Sequence, residues 1–111
     1  MRLTLDTNVV ASGLLWHGTP AQLIDAAQAG EVELFTSRAL LAELVRILQR
    51  AKFNTAITVS GLALDDLVLA CALAARAALI VSGDAHLLNL KTYHRIRIVS
   101  ATEALALIAK P

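Results

Sequence analysis

Charge is scarce in this 111-residue chain, which carries 10 Lys+Arg against 9 Asp+Glu for a net charge of +1. That balance excludes a histone-like polycation and an acidic solvating tail. A single cysteine, Cys71, excludes an intramolecular disulfide and any multi-cysteine zinc site. No membrane-spanning run is present. The longest uncharged stretch, Thr7 to Ile24, is interrupted by Asn8, His17, Gly18, Pro20 and Gln22, whereas a span needs roughly 20 mostly apolar residues. Asp6 comes too early for the apolar middle of an export signal. A cytoplasmic protein without a membrane is the expectation. Internal repeats, low-complexity runs and signs of a second domain are also lacking, so residues 1–111 read as one domain.

What the chain has in abundance is apolar residues, 57% of the total. They exclude disorder and imply a large core for the size. The surplus suits a partner interface. Arg2 to Asp6 alternates as a short strand. After the turn at His17–Pro20, Thr19 is placed to cap a helix over Pro20–Ala29, with Gly30 ending it. Val32–Thr36 reads as a strand. Ser37 caps a helix from about Arg38 to Arg50 whose apolar stripe is Leu40, Leu41, Leu44, Ile47 and Leu48. Asn54–Leu64 reads as loop. A helix follows from about Asp65 to Arg76, apolar nearly all round and therefore expected to be deeply buried. Strands at Ala78–Ser82 and Arg95–Val99, a short helix at His86–Leu90 and a last helix at Ala101–Lys110 complete the pattern. Strands alternating with helices predict an α/β fold, a three-layer sandwich around a parallel sheet. Ligands of such sheets bind beyond the carboxyl ends of the strands.

The few acids are concentrated where that rule directs attention. Asp6 and Asp84 end two strands. Asp65 and Asp66 stand at the expected start of the apolar helix. Glu43 lies on the edge of an amphipathic one. Each has an ordinary explanation. Asp65 or Asp66 caps a helix, Glu43 pairs with Arg46 or Arg50, and Asp84 turns the chain after Gly83. Asp6 resists that treatment, because a carboxylate at the mouth of an apolar sheet is costly unless paired. Carboxylates converging on one sheet edge repel and raise one another's pKa values. A hard divalent cation, Mg²⁺ or Mn²⁺, relieves that repulsion. Such an ion activates water and neutralises a phosphate, which points to phosphodiester hydrolysis. Competing chemistries lack their signatures. His17, His86 and His94 show no zinc spacing, and neither a nucleophile elbow nor a phosphate loop is present. Cys71 and Trp16 read as packing residues.

The residues resemble a known family. Leu5-Asp6-Thr7-Asn8-Val9 looks like the opening of the PIN domain. Leu41-Ala-Glu43-Leu-Val-Arg is similar to the helix bearing its second acid. The run beginning Asp65-Asp66-Leu67, followed by Val81-Ser82-Gly83-Asp84, looks like its third and fourth acidic motifs. Ser12-Gly-Leu-Leu-Trp-His-Gly-Thr-Pro is similar to the VapC-like toxin–antitoxin branch. The resemblance implies an α/β/α sandwich with Mg²⁺- or Mn²⁺-dependent ribonuclease activity. By matching position it makes Asp6, Glu43, Asp65 and Asp84 the catalytic, metal-holding acids, with Asn8, Ser82 and Asp66 in support. It also implies an RNA substrate, a small antitoxin protein as partner, and a homodimer. One departure stands out: relatives in that branch have a longer segment between the second and third acids, where this chain has only Ala51–Leu64. Two readings follow. One is a metal-dependent endoribonuclease, the toxin of a toxin–antitoxin pair. The other is a shortened, inactive PIN-like interaction module. A nuclease directed at DNA is a weaker third, since the same chemistry cuts either backbone.

Overall fold

The structure, a computed structural model, describes residues 1–52 and 61–109. Its first strand, β1 (Arg2–Leu5), runs into helix α1 (Thr7–Leu15) and then α2 (Thr19–Gln28). Strand β2 (Glu33–Phe35) and helix α3 (Arg38–Lys52) follow. Then come α4 (Gly61–Ala75), β3 (Leu79–Val81), α5 (Ala85–Leu90), β4 (Thr92–Tyr93), β5 (Ile96–Val99) and α6 (Ala101–Ala109). The five strands form one sheet in the order β2-β1-β3-β5-β4. All neighbours are parallel except β4 against β5. The expected α/β sandwich with a largely parallel sheet is therefore present.

Alternation along the strands builds the three layers, because successive side chains leave opposite faces of a sheet. Leu3, Leu5, Leu79, Val81 and Val99 point to one side and pack with Val9, Leu23 and Ala104 of α1, α2 and α6. Ile80, Ile96 and Ile98 point to the other and pack with Leu40, Val68, Cys71, Ala72 and Leu87 of α3, α4 and α5. Thr4 also faces α4, fully buried, and burial pushes the Cys71 thiol's pKa up.

Several details differ from the sequence reading. The helix expected from Asp65 begins four residues earlier, at Gly61. Of the loop expected over Asn54–Leu64, residues 54–60 lie outside the described residues, and 61–64 are helical. Nor is α4 buried all round: Val68, Cys71 and Ala72 are buried, while Ala70, Leu73 and Ala74 are exposed. The α3 stripe is partial too, since Leu40 and Ile47 are buried but Leu41 is exposed. At α2 the cap is Gly18, with no side-chain bond, and Thr19 is already helical. Ser37 does cap α3, its Oγ accepting from the Leu40 N–H at 3.2 Å. Strand β4 was not foreseen. It is two residues long and joins β5 through His94 and Arg95, both at positive φ, without the glycine or asparagine that usually marks such a turn.

Gly13 is required by packing. A Cβ there would lie 2.6 Å from Ile24 Cδ1 and 2.9 Å from the Pro20 carbonyl oxygen. The missing side chain lets α1 meet the start of α2, and this brings Pro20 to the mouth of the sheet.

Candidate active site

Asp6 follows the last residue of β1, and its main-chain N–H extends the ladder to the Val81 carbonyl at 2.8 Å. The chain then turns into α1, with Asp6 as its N-cap and its Oδ1 accepting from the Asn8 N–H. The same happens one strand over. Asp84 caps α5, and its Oδ1 accepts from the His86 N–H at 3.0 Å. Ser82, fully buried at the end of β3, joins the two. Its hydroxyl donates to Asp6 Oδ2 at 2.8 Å and accepts from the Asp84 N–H at 2.9 Å. Both strand-end acids are thus held by helix caps, which satisfy their lone pairs while pointing them at one edge. Asp84, read from the sequence as a turn residue after Gly83, is in the structure the N-cap of α5.

The third acid arrives from the other layer. Asp65 lies inside α4, in its second turn, so a role as that helix's cap is excluded. It is buried at 8% exposure, whereas its neighbour Asp66 is exposed. Its pKa is raised from 3.8 to about 6, first by burial, then by a hydrogen bond with Asp84 and by the charges of Asp84 and Asp6. His86 acts in the opposite direction. Three carboxylates from β1, β3 and α4 therefore feel one another at the carboxyl edge of the sheet.

Glu43 is placed differently. Its carboxylate forms an ion pair with Arg46 one turn along α3, and it is not among the groups that shift Asp65. The pairing weighed for Glu43 on sequence grounds is the arrangement found. Asn8 also differs in detail: it supports Asp6 through its main-chain N–H, while its side chain is exposed.

An all-carboxylate donor set suits a hard divalent cation better than a softer one. Burial first, and the neighbouring carboxylates second, disfavour the ionised form of Asp65; a divalent ion would offset both, so the residues present fit it. The acids gather without closing: among the described residues, no three His, Cys, Asp or Glu side chains form a ready-made metal cage.

Beside Asp6 and Asp84 a cleft of about 480 Å³ opens toward α2 and α6, lined further by Ser12, Pro20 and Ser100. Sequence reasoning did not place these three beside the acids, nor His86 near Asp65. Ser12 had a signal available, since it stands four residues after Asn8 and thus on the same helical face. Pro20 and Ser100 had none, because only the packing of α2 and α6 brings them there.

Fold and edge together define an α/β/α domain with an acidic site at the switch from strands to helices. A sequence model of the PIN domain matches residues 2–65, more than half of the chain. The chain belongs to the PIN-domain family, whose members are typically nucleases that use divalent metal ions. No curated protein and no solved structure matches it. No helix among the described residues is long and apolar enough to cross a membrane.

Proposed function

We propose that the protein is a metal-dependent endoribonuclease that hydrolyses RNA phosphodiester bonds, and that it is the toxin of a VapC-like toxin–antitoxin pair acting in the cytoplasm. The observation that carries the nuclease reading is the convergence of Asp6, Asp65 and Asp84, from three separate elements, on one sheet edge beside an open cleft. Asp6, Asp65 and Asp84 would hold Mg²⁺ or Mn²⁺. When bound, such an ion supplies charge for the phosphate and a more acidic water. The chain's own part is orientation. Ser82 fixes one oxygen of Asp6, the Asn8 N–H fixes the other, and the His86 N–H aligns Asp84. Asp65, buried against them, would add a third carboxylate to that edge. Glu43 would join the set by leaving Arg46.

The toxin assignment rests on the likeness of Ser12–Pro20 to that branch, together with apolar surface for partners. Leu14, Leu15 and Trp16 at the end of α1, and Leu41 and Val45 on α3, are all exposed. They suit a small antitoxin protein or a second copy of the chain. The shortened middle segment motivates the alternative reading, an inactive interaction module.

The test is cleavage of labelled RNA and DNA panels by the purified protein with Mn²⁺ or Mg²⁺, beside Asp6→Asn and a chelator control. Metal-dependent cutting of RNA, lost in Asp6→Asn, is the expected result. Cutting of DNA alone would redirect the substrate. No cutting by folded protein would favour the inactive interaction module.

A further inference from the structure

The cleft beside the acids holds more than catalysis needs. Its volume of about 480 Å³ lies within the roughly 300–1,000 Å³ typical of small-molecule sites. Among the described residues, its walls beyond Asp6 and Asp84 carry no charged side chain: they are Asn8, Val9 and Ser12 of α1, Pro20 of α2, Ser82 and Gly83 after β3, and Ser100 and Ala101 where α6 begins. A region without a cationic side chain is not built to track phosphates, whose binding is dominated by Lys and Arg. It is suited to the uncharged part of a nucleotide. Val9, Pro20 and Ala101 offer apolar contact for a base. Asn8 and Ser12, one turn apart, place an amide and a hydroxyl side by side on the cleft-facing side of α1. Neither of those side chains has a hydrogen-bond partner among the described residues, whereas the Ser100 hydroxyl is engaged with Glu103. An amide beside a hydroxyl supplies both donors and acceptors, which is the equipment for reading a base edge.

We propose that this cleft is a one-nucleotide subsite, in which a single unstacked base next to the scissile phosphate is held against Val9, Pro20 and Ala101 and read by Asn8 and Ser12. The inference rests on the nuclease reading and narrows it. The substrate must present single-stranded RNA, since a base enters such a pocket only by leaving its stack. Cleavage must then depend on the identity of that base, with Ser12 as a specificity-determining residue.

Uncharged ribonucleosides avoid repulsion by the carboxylates, so they probe the subsite without metal or turnover. Adenosine, cytidine and uridine are titrated into ¹⁵N-labelled protein, followed by amide shifts, with wild type, Ser12→Ala and Ser12→Leu compared. The expected result is shifts centred on Asn8, Ser12 and Ala101 with unequal affinity for the three. Ser12→Leu, which fills the cleft, should weaken binding at least tenfold, and Ser12→Ala should change the ranking. Cleavage of an RNA panel varied at each position around the cut should show the same change. Absent or scattered shifts in a folded protein overturn the subsite. So does a wild type that cuts RNA with the same base pattern as a folded Ser12→Leu, and that outcome leaves the nuclease reading intact. Cleft-centred binding, lost in Ser12→Leu, by a protein that cuts nothing supports the subsite and overturns the nuclease reading instead.

Discussion

Asp65 and Glu43 make an instructive pair. Both are acids on helices of the same layer, α4 and α3, and the sequence reading proposed both as metal-site acids. Their neighbours set them apart. Asp65 is buried beside Asp84 and Asp6, and burial first and those neighbours second raise its pKa to about 6. Glu43 is neutralised by Arg46 on its own helix. The difference teaches that an acidic position is defined by what faces it. Like charges without a counter-ion store repulsion that a cation can release. An acid with an arginine one turn away has already been satisfied, at the small gain of a few tenths of a kcal/mol typical of helix-surface pairs.

The largest effect expected from sharpening this contrast is at the hub of the carboxylate group. Asp6→Asn and Asp84→Asn should each lower metal-dependent cleavage by two or more orders of magnitude. Asn keeps an N-cap acceptor, so the melting temperature should change little. Activity within threefold of wild type in either variant would remove the metal-site assignment.

Asp65 should reveal itself through pH. The unfolded chain ionises this carboxyl near 3.8 and the folded chain near about 6. Between those values the folded state keeps a proton that the unfolded state has lost. Without metal, stability should therefore fall as pH rises from about 4 to about 6 and then level off. Asp65→Asn should abolish that decline and melt higher than wild type at pH 7.5, while losing activity. Equal melting curves for the two at pH 7.5 would mean that burial and the neighbouring carboxylates do not disfavour ionised Asp65 as the structure indicates.

Glu43 breaks the comparison if it behaves like Asp65. With the ion pair as its main contact, Glu43→Gln should shift stability by about 0.5 kcal/mol or less. A loss of cleavage well beyond that of a surface change would show that it leaves Arg46 to join the metal set. Asp66→Asn should do least of all, because Asp66 is exposed. A large loss there, with Asp65→Asn harmless, would shift the third acid by one residue.

Much of the fold was legible because its signals are local. Leu3 and Leu5 flanking Thr4, and Ile80 between Leu79 and Val81, alternate as strands buried on both faces must. Ser37 caps α3 as its position suggests. The start of α4 was not legible: Asp65-Asp66 imitates a helix-opening acidic turn, while the turn before it, Gly61 to Leu64, carries no such marker. Strand β4 escaped because its two residues pair only through β5, across a turn whose positive φ values fall on His94 and Arg95.

The sequence by itself determined which residues carry charge, that they are few, and that two of them end strands of a parallel sheet. Periodicity and caps are properties of neighbours along the chain, so they can be read from it. Only the tertiary structure decided that Asp65 crosses from the opposite layer to meet Asp84 and Asp6, that Glu43 turns to Arg46, and that Pro20 and Ser100 wall a cleft with Ser12. Those outcomes depend on how helices pack against the two faces of the sheet. Packing joins residues far apart in sequence, where no local pattern records their meeting.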